Sequence, residues 1–216
     1  MIANTALVKP RYRGRLHQIA FFLAIPQGIA LVASAGGWVA RAAAAVYSLS
    51  LAGVYGVSAL YHRLKWSPKA LLRMRRLDHS MIFLLIAGTY TPVSLLVLHR
   101  PWAIALLAVV WAGAITGVLM KLIGMERTRK ITGTMYIVLG WVAVIMAPQF
   151  VTRVALPVVA LIAAGGVLYT LGSIVFLRRR PDPNPAVFGY HEIWHVAVVS
   201  AAFCHYAAIL LLVLSR

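Results

Sequence analysis

Apolar runs long enough to cross a bilayer follow one another along almost the whole chain, separated only by short basic or turn-forming segments. A spanning helix needs roughly 20 predominantly apolar residues and satisfies its own backbone polar groups within the lipid. Seven such runs are present: about 19–35, 38–62, 77–98, 102–122, 133–150, 154–177 and 190–214. They leave no room for a separate soluble domain. With 62% hydrophobic and 12% charged residues, the chain also lacks the polar surface of soluble domains, whose charged share is about 25%. The sequence therefore reads as an all-α, polytopic membrane protein: a basic tail over 1–16 and one seven-helix transmembrane domain over 17–216.

Charge placement orients this bundle. There are 21 Lys and Arg against four acids. With a cytoplasmic N-terminus, that side receives Lys9, Arg11, Arg13 and Arg15, the cations of 63–76 and 121–130, and Arg178–Arg180. Only Arg41, Arg100, Arg153 and Arg216 fall on the other side. This asymmetry follows the positive-inside rule and predicts a multi-pass protein of the plasma (inner) membrane, N-terminus in and C-terminus out. The same excess in a soluble chain would point to nucleic acid. Here the cations lie between apolar runs and no nucleic-acid-binding motif is present, so that class is set aside. One cysteine, Cys204, excludes an intramolecular disulfide framework. Ala33-Ser34-Ala35 resembles a signal-peptide cleavage site, but its apolar run is long, contains Pro26 and leads directly into another span. Gly113-Ala-Ile-Thr-Gly117 is a GxxxG, read as close helix packing.

Ionisable groups inside spans are costly and therefore candidates for function. His62 ends the second span, Asp78 begins the third, and His191 and His195 begin the seventh, so all four share a layer near the cytoplasmic face. His191 and His195 are spaced i, i+4, which places two imidazoles on one helix face. Ser58 and His62 repeat that spacing. Three histidines and an open fourth position would suit a catalytic Zn²⁺. Cys204 points away from His195 and reads as a small buried hydrophobe. His17 and His99 read as hydrogen-bonded residues at helix ends, His79 as a packing or supporting residue. His205 lies about 15 Å deeper than His195, where a bond to a neighbouring helix is favoured over cavity lining.

Two segments have competing readings. His191-Glu-Ile-Trp-His195 matches H-E-x-x-H, in which Glu192 would be the base of an intramembrane metalloprotease. Alternatively, Glu192 favours the positive end of the helix dipole and pairs with a nearby arginine. Gly88-Thr-Tyr-Thr-Pro92, at mid-membrane, either lines a lipid cavity or forms a kink whose threonines satisfy freed backbone groups.

Three stretches closely resemble the bacterial haemolysin III proteins: Ser-Ala-Leu-Tyr-His-Arg at 58–63, Leu-Asp-His-Ser-Met-Ile-Phe-Leu-Leu-Ile-Ala-Gly-Thr-Tyr-Thr-Pro at 77–92, and Gly-Tyr-His-Glu-Ile-Trp-His at 189–195. Those proteins are grouped with progestin and adipoQ receptors, in a wider superfamily that includes alkaline ceramidases. The resemblance covers all seven spans. It implies a seven-helix bundle with zinc near the cytoplasmic face, His62, His191 and His195 as ligands, and Ser58 and Asp78 in contact with a water at the metal. Glu192 lies outside the shared pattern, which weakens the protease reading. The receptors' longer N-terminal domain is absent from the sequence, so hormone-receptor function is not carried over.

The expected activity is ceramidase-like, zinc-dependent hydrolysis of a lipid amide or ester. Asp78 would act as base, Ser58 as donor to the water or developing oxyanion, and the basic rim (Arg63, Lys65, Arg75, Arg76) would meet anionic headgroups of membrane lipids. The family name favours a haemolytic pore instead, although no line of polar residues runs through a span. A lipid sensor with structural zinc is a further alternative.

Overall fold

A computed structural model describes residues 10–124 and 127–215. The first nine residues of the basic tail, positions 125 and 126 of the basic 124–132 segment, and Arg216 lie outside the described residues. Among the described residues every helix or strand assigned is a helix: α1 (Arg15–Ser34), α2 (Gly37–Arg63), α3 (Pro68–Val97), α4 (Arg100–Gly124), α5 (Arg129–Trp141), α6 (Ala147–Arg153), α7 (Leu156–Arg178) and α8 (Tyr190–Leu214). A short 3-10 segment, Val142–Met146, joins α5 to α6, and these three pieces form one span. Seven segments are thus long and apolar enough to cross a membrane.

The helices pack mainly against their sequence neighbours, and α1 also touches α8, so the first and last spans close the bundle. α3 is the central element. In its most apolar stretch 67% of residues are buried, against 17% in α7. Large side chains such as Tyr47 and Phe83 fill the interior, while isoleucines and leucines of the outer faces point outward. Gly113 and Gly117 are points of close packing on α4. A Cβ on Gly117 would meet the Phe83 ring at 2.3 Å, and one on Gly113 the Leu139 side chain at 2.7 Å.

Two helices differ from expectation. α3 begins at Pro68 rather than Leu77. Ser67 caps it, accepting the Ala70 N–H at 3.4 Å, and Pro68 occupies the first helical position, where its missing N–H costs nothing. The basic residues of this stretch, expected as loop, ride on helix turns that precede the apolar run.

The fifth span is not one continuous helix. Its break leaves backbone groups without helical partners, and Tyr90 of α3 serves them. The Tyr90 hydroxyl lies within hydrogen-bond distance of the Leu139 and Gly140 carbonyls, at 2.9 and 3.1 Å, and accepts the Ala143 N–H at 2.8 Å. Such repair by a neighbouring helix is what lipid-buried breaks require. Pro92 lacks the N–H that would serve the Gly88 carbonyl, and the expected repair of that group by the threonines is not what the structure shows. Thr89 and Thr91 donate to the Leu85 and Ala87 carbonyls of their own helix. Thr89 and Tyr90 also line a cavity of about 190 Å³ between α3, the fifth span, α7 and α8.

Candidate metal centre

The end of α2 and the start of α8 meet at one end of the bundle. His62 comes from the last turn of α2, and His191 and His195 from the first two turns of α8. One ligating nitrogen from each lies within 4.8 Å of the others. The ring centroids are 4.9 Å apart for His62 and His191, 5.2 Å for His62 and His195, and 4.7 Å for His191 and His195. His62 and His195 are buried, and Phe176 of α7 packs edge-on against His191 at 5.3 Å. Three imidazoles converging at this spacing could hold one metal ion. Imidazole suits zinc, and also copper, iron and nickel.

Asp78 and its neighbour sit on α3. The Asp78 carboxylate is 3.5 Å from His79 Nδ1, and its charge lies within electrostatic range of His17, Tyr61 and Tyr136. His79 Nδ1 is 2.9 Å from the Arg75 carbonyl, and the His79 carbonyl accepts the Tyr136 hydroxyl at 2.8 Å. His79 is thus a supporting residue tied to its own helix and to α5.

Glu192 is buried, and both of its oxygens are engaged. One pairs with Arg13, and the other accepts the Gly189 N–H at 2.9 Å, closing the start of α8. That is the arginine-paired, helix-capping reading; a carboxylate held this way is poorly placed to serve as a protease base.

The segment before α1 is packed on this centre. Arg11 and Tyr12 donate backbone N–H groups to the Ala186 and Val187 carbonyls at 3.0 and 3.3 Å. Gly14 adopts φ +78°, and a Cβ there would lie 2.5 Å from the His62 Cβ. Only glycine enters this backbone region without strain.

His17 is a residue that sequence reasoning undervalued. It is hydrogen-bonded near a helix end, as expected, but its place is inside the site. Its Nδ1 and the Ser58 Oγ are hydrogen-bonded at 2.8 Å, and its ring stacks on His195 at 3.9 Å with planes 14° apart. The available signal was depth, since His17 opens the first span at the level already assigned to His62 and His191. The other lone residues follow expectation only in part: Cys204, expected to be buried, is part-buried, and His205 both bonds to a neighbouring helix and borders a cavity. His99, exposed, contacts Arg153 at the opposite end. His205 Nε2 is 3.2 Å from the Ile162 carbonyl of α7, and His205 also borders the 190 Å³ cavity. Cys204 is a part-buried free thiol on α8.

Fold and centre together define a multi-pass, seven-helix membrane protein with a histidine cluster suited to a metal at one end of the bundle. Sequence comparison places it more narrowly. The chain belongs to the haemolysin-III-related family, whose profile matches residues 5–206. It is similar to Hemolysin-3 of Bacillus cereus, with 35% identity over 99% of this chain and 96% of that protein. The Hemolysin-3 homolog of Bacillus subtilis (strain 168) is 27% identical over 90% of this chain and 89% of its own length. The human Monocyte to macrophage differentiation factor is 25% identical over 76% of this chain and 67% of that protein.

Proposed function

We propose that this protein binds zinc through His62, His191 and His195 and hydrolyses an amide or ester of a membrane lipid at that site. The observation that carries the reading is the convergence of three imidazoles, with ligating nitrogens within 4.8 Å of one another, at the end of an otherwise apolar bundle. Zinc, when bound, supplies Lewis acidity toward a carbonyl and lowers the pKa of a water toward ~7. The chain's own residues do the rest. Asp78, on α3, takes the proton of the attacking water. Ser58 presents a hydroxyl to the oxygen that gains charge at the scissile carbonyl. The basic residues Arg63, Lys65, Arg75 and Arg76 attract anionic headgroups, and the bundle interior receives the hydrocarbon. The cation asymmetry favours a cytoplasmic location for this end of the bundle.

A second reading, membrane permeabilisation, draws support from the name Hemolysin-3 borne by the Bacillus cereus relative. The test uses purified full-length protein, with ceramide-like and lysolipid substrates, with and without chelator. Chelator-sensitive turnover is expected, lost about 10²–10⁴-fold in Asp78→Asn and largely kept in Glu192→Gln. The reverse pattern makes Glu192 the base and the protein a protease. Activity of neither kind, with zinc still required for folding, makes the ion structural. Ion flux through liposomes without any turnover makes the protein a pore former.

A further inference from the structure

We infer that His17 is a positioning residue of the histidine centre, fixing the Ser58 hydroxyl through Nδ1 and the ring plane of His195 through stacking. The inference rests on the metal-binding reading above and extends it to a helix that contributes no ligand.

Ser58 differs from most buried serine and threonine hydroxyls of the described residues, which bond within their own helix. Ser80, Thr91 and Thr132 each donate to the carbonyl four residues back in their own helix, the ordinary resting place of a helical hydroxyl. Ser58 bonds across to His17 on another helix instead. A hydroxyl proton rotates to suit its partners. A bond to His17 therefore decides which direction Ser58 has left to offer at the centre. His195 needs similar control. The torsion that turns an imidazole about its Cβ–Cγ bond is broad, so a second ring 3.9 Å away and within 14° of parallel narrows the orientations of the ligand.

His17 is itself held firmly. The Arg13–Glu192 pair, the backbone bonds to Ala186 and Val187, and the seat of Gly14 against His62 fix the start of α1. The ring is 3% exposed, and its Nε2 is buried without a hydrogen-bond partner among the described residues. A buried ring nitrogen left without a hydrogen-bond partner is costly. A residue needed only for filling would more economically be leucine.

The test titrates metal-stripped, full-length protein in detergent with Co²⁺ alone, reading affinity by chelator competition and geometry by the d–d absorption bands. His17→Phe keeps a ring against His195 and loses the bond to Ser58. It is expected to weaken cobalt binding about 10–100-fold, the usual cost of removing a group that orients a site from behind, and to shift the bands. Ser58→Ala should give a comparable shift, and the double variant should be no worse than Ser58→Ala alone, because both act through one hydrogen bond. Additive losses, or wild-type bands and affinity in His17→Phe, overturn the inference. If the Phe variant does not fold, His17→Asn carries the test. It keeps a hydrogen-bonding atom near the Nδ1 position and drops the ring, so the bands should move while Ser58→Ala still weakens binding on that background; unmoved bands overturn the stacking role. Wild-type protein that takes up no cobalt refutes the metal reading, and the role of His17 falls with it. Cobalt uptake with silent His17 variants leaves the metal reading standing and removes this inference alone.

Discussion

Gly14→Ala is the sharpest single probe of how the chain's first described segment bears on the centre. Two costs combine at this position. An L-residue at φ +78° pays about 1–2 kcal/mol for left-handed backbone. The new Cβ would also lie 2.5 Å from the His62 Cβ, and relieving such overpacking typically costs about 1–3 kcal/mol. The expected destabilisation is therefore about 2–5 kcal/mol. Gly37→Ala is the matched control. Gly37 has φ +76°, but a Cβ there meets nothing within 4 Å, so only the backbone cost of about 1–2 kcal/mol applies. Equilibrium unfolding in mixed micelles, followed by circular dichroism, measures both variants. Because the group displaced by Gly14→Ala is His62, metal affinity should drop in that variant and stay at the wild-type level in Gly37→Ala. Equal destabilisation of the two variants, or undiminished metal affinity in Gly14→Ala, would refute the packing of this segment on the ligand set.

His62→Ala, His191→Ala and His195→Ala should each lose stoichiometric zinc by elemental analysis and melt at a lower temperature, because metal binding to the native state adds directly to stability. Chelator should lower the melting temperature of the wild type and leave these variants unchanged; a variant that keeps its zinc identifies a histidine that is not a ligand. Tyr90→Phe removes the hydroxyl that serves Leu139, Gly140 and Ala143 and should cost about 1–3 kcal/mol in the same unfolding assay, with helical content preserved. A reporter fused after Arg216 should read as extracytoplasmic, and one inserted in 181–185 as cytoplasmic. If both report one side, the cation-based orientation is wrong.

Much of this architecture was legible before any coordinates. Lipid imposes a length and an apolar composition on each span, so all seven spans could be read from hydropathy alone, and the i, i+4 pair of His191 and His195 followed from helix geometry. What could not be read shares a physical cause: it depends on partners distant in sequence. Val142–Met146 has the composition of any membrane helix, and its 3-10 form becomes affordable only because Tyr90, some 50 residues earlier, supplies the missing hydrogen bonds. Residues 68–76 look like a loop because they are basic; the cap at Ser67 starts the helix there, ahead of the apolar run. Glu192 offered two readings that only the position of Arg13 separates. His17 was visible as a residue and as a depth, but its stacking on His195 depends on α1 lying beside α8, which no local pattern encodes.

The contact between the first and last helices bears on how the molecule is made. Arg13 and Glu192 stand 179 residues apart, and the candidate ligands come from α2 and α8. Helices enter a membrane one after another and associate afterwards. During synthesis, therefore, His62 and His17 wait in a half-built bundle whose interior lacks the other two imidazoles. On the proposed reading, metal capture would become possible only when the final span has been delivered and packs against α1 and α7. A chain stalled or clipped before residue 190 would have most of its helices and only one of the three candidate ligands, so on the proposed reading loading with metal would report completed assembly rather than mere insertion.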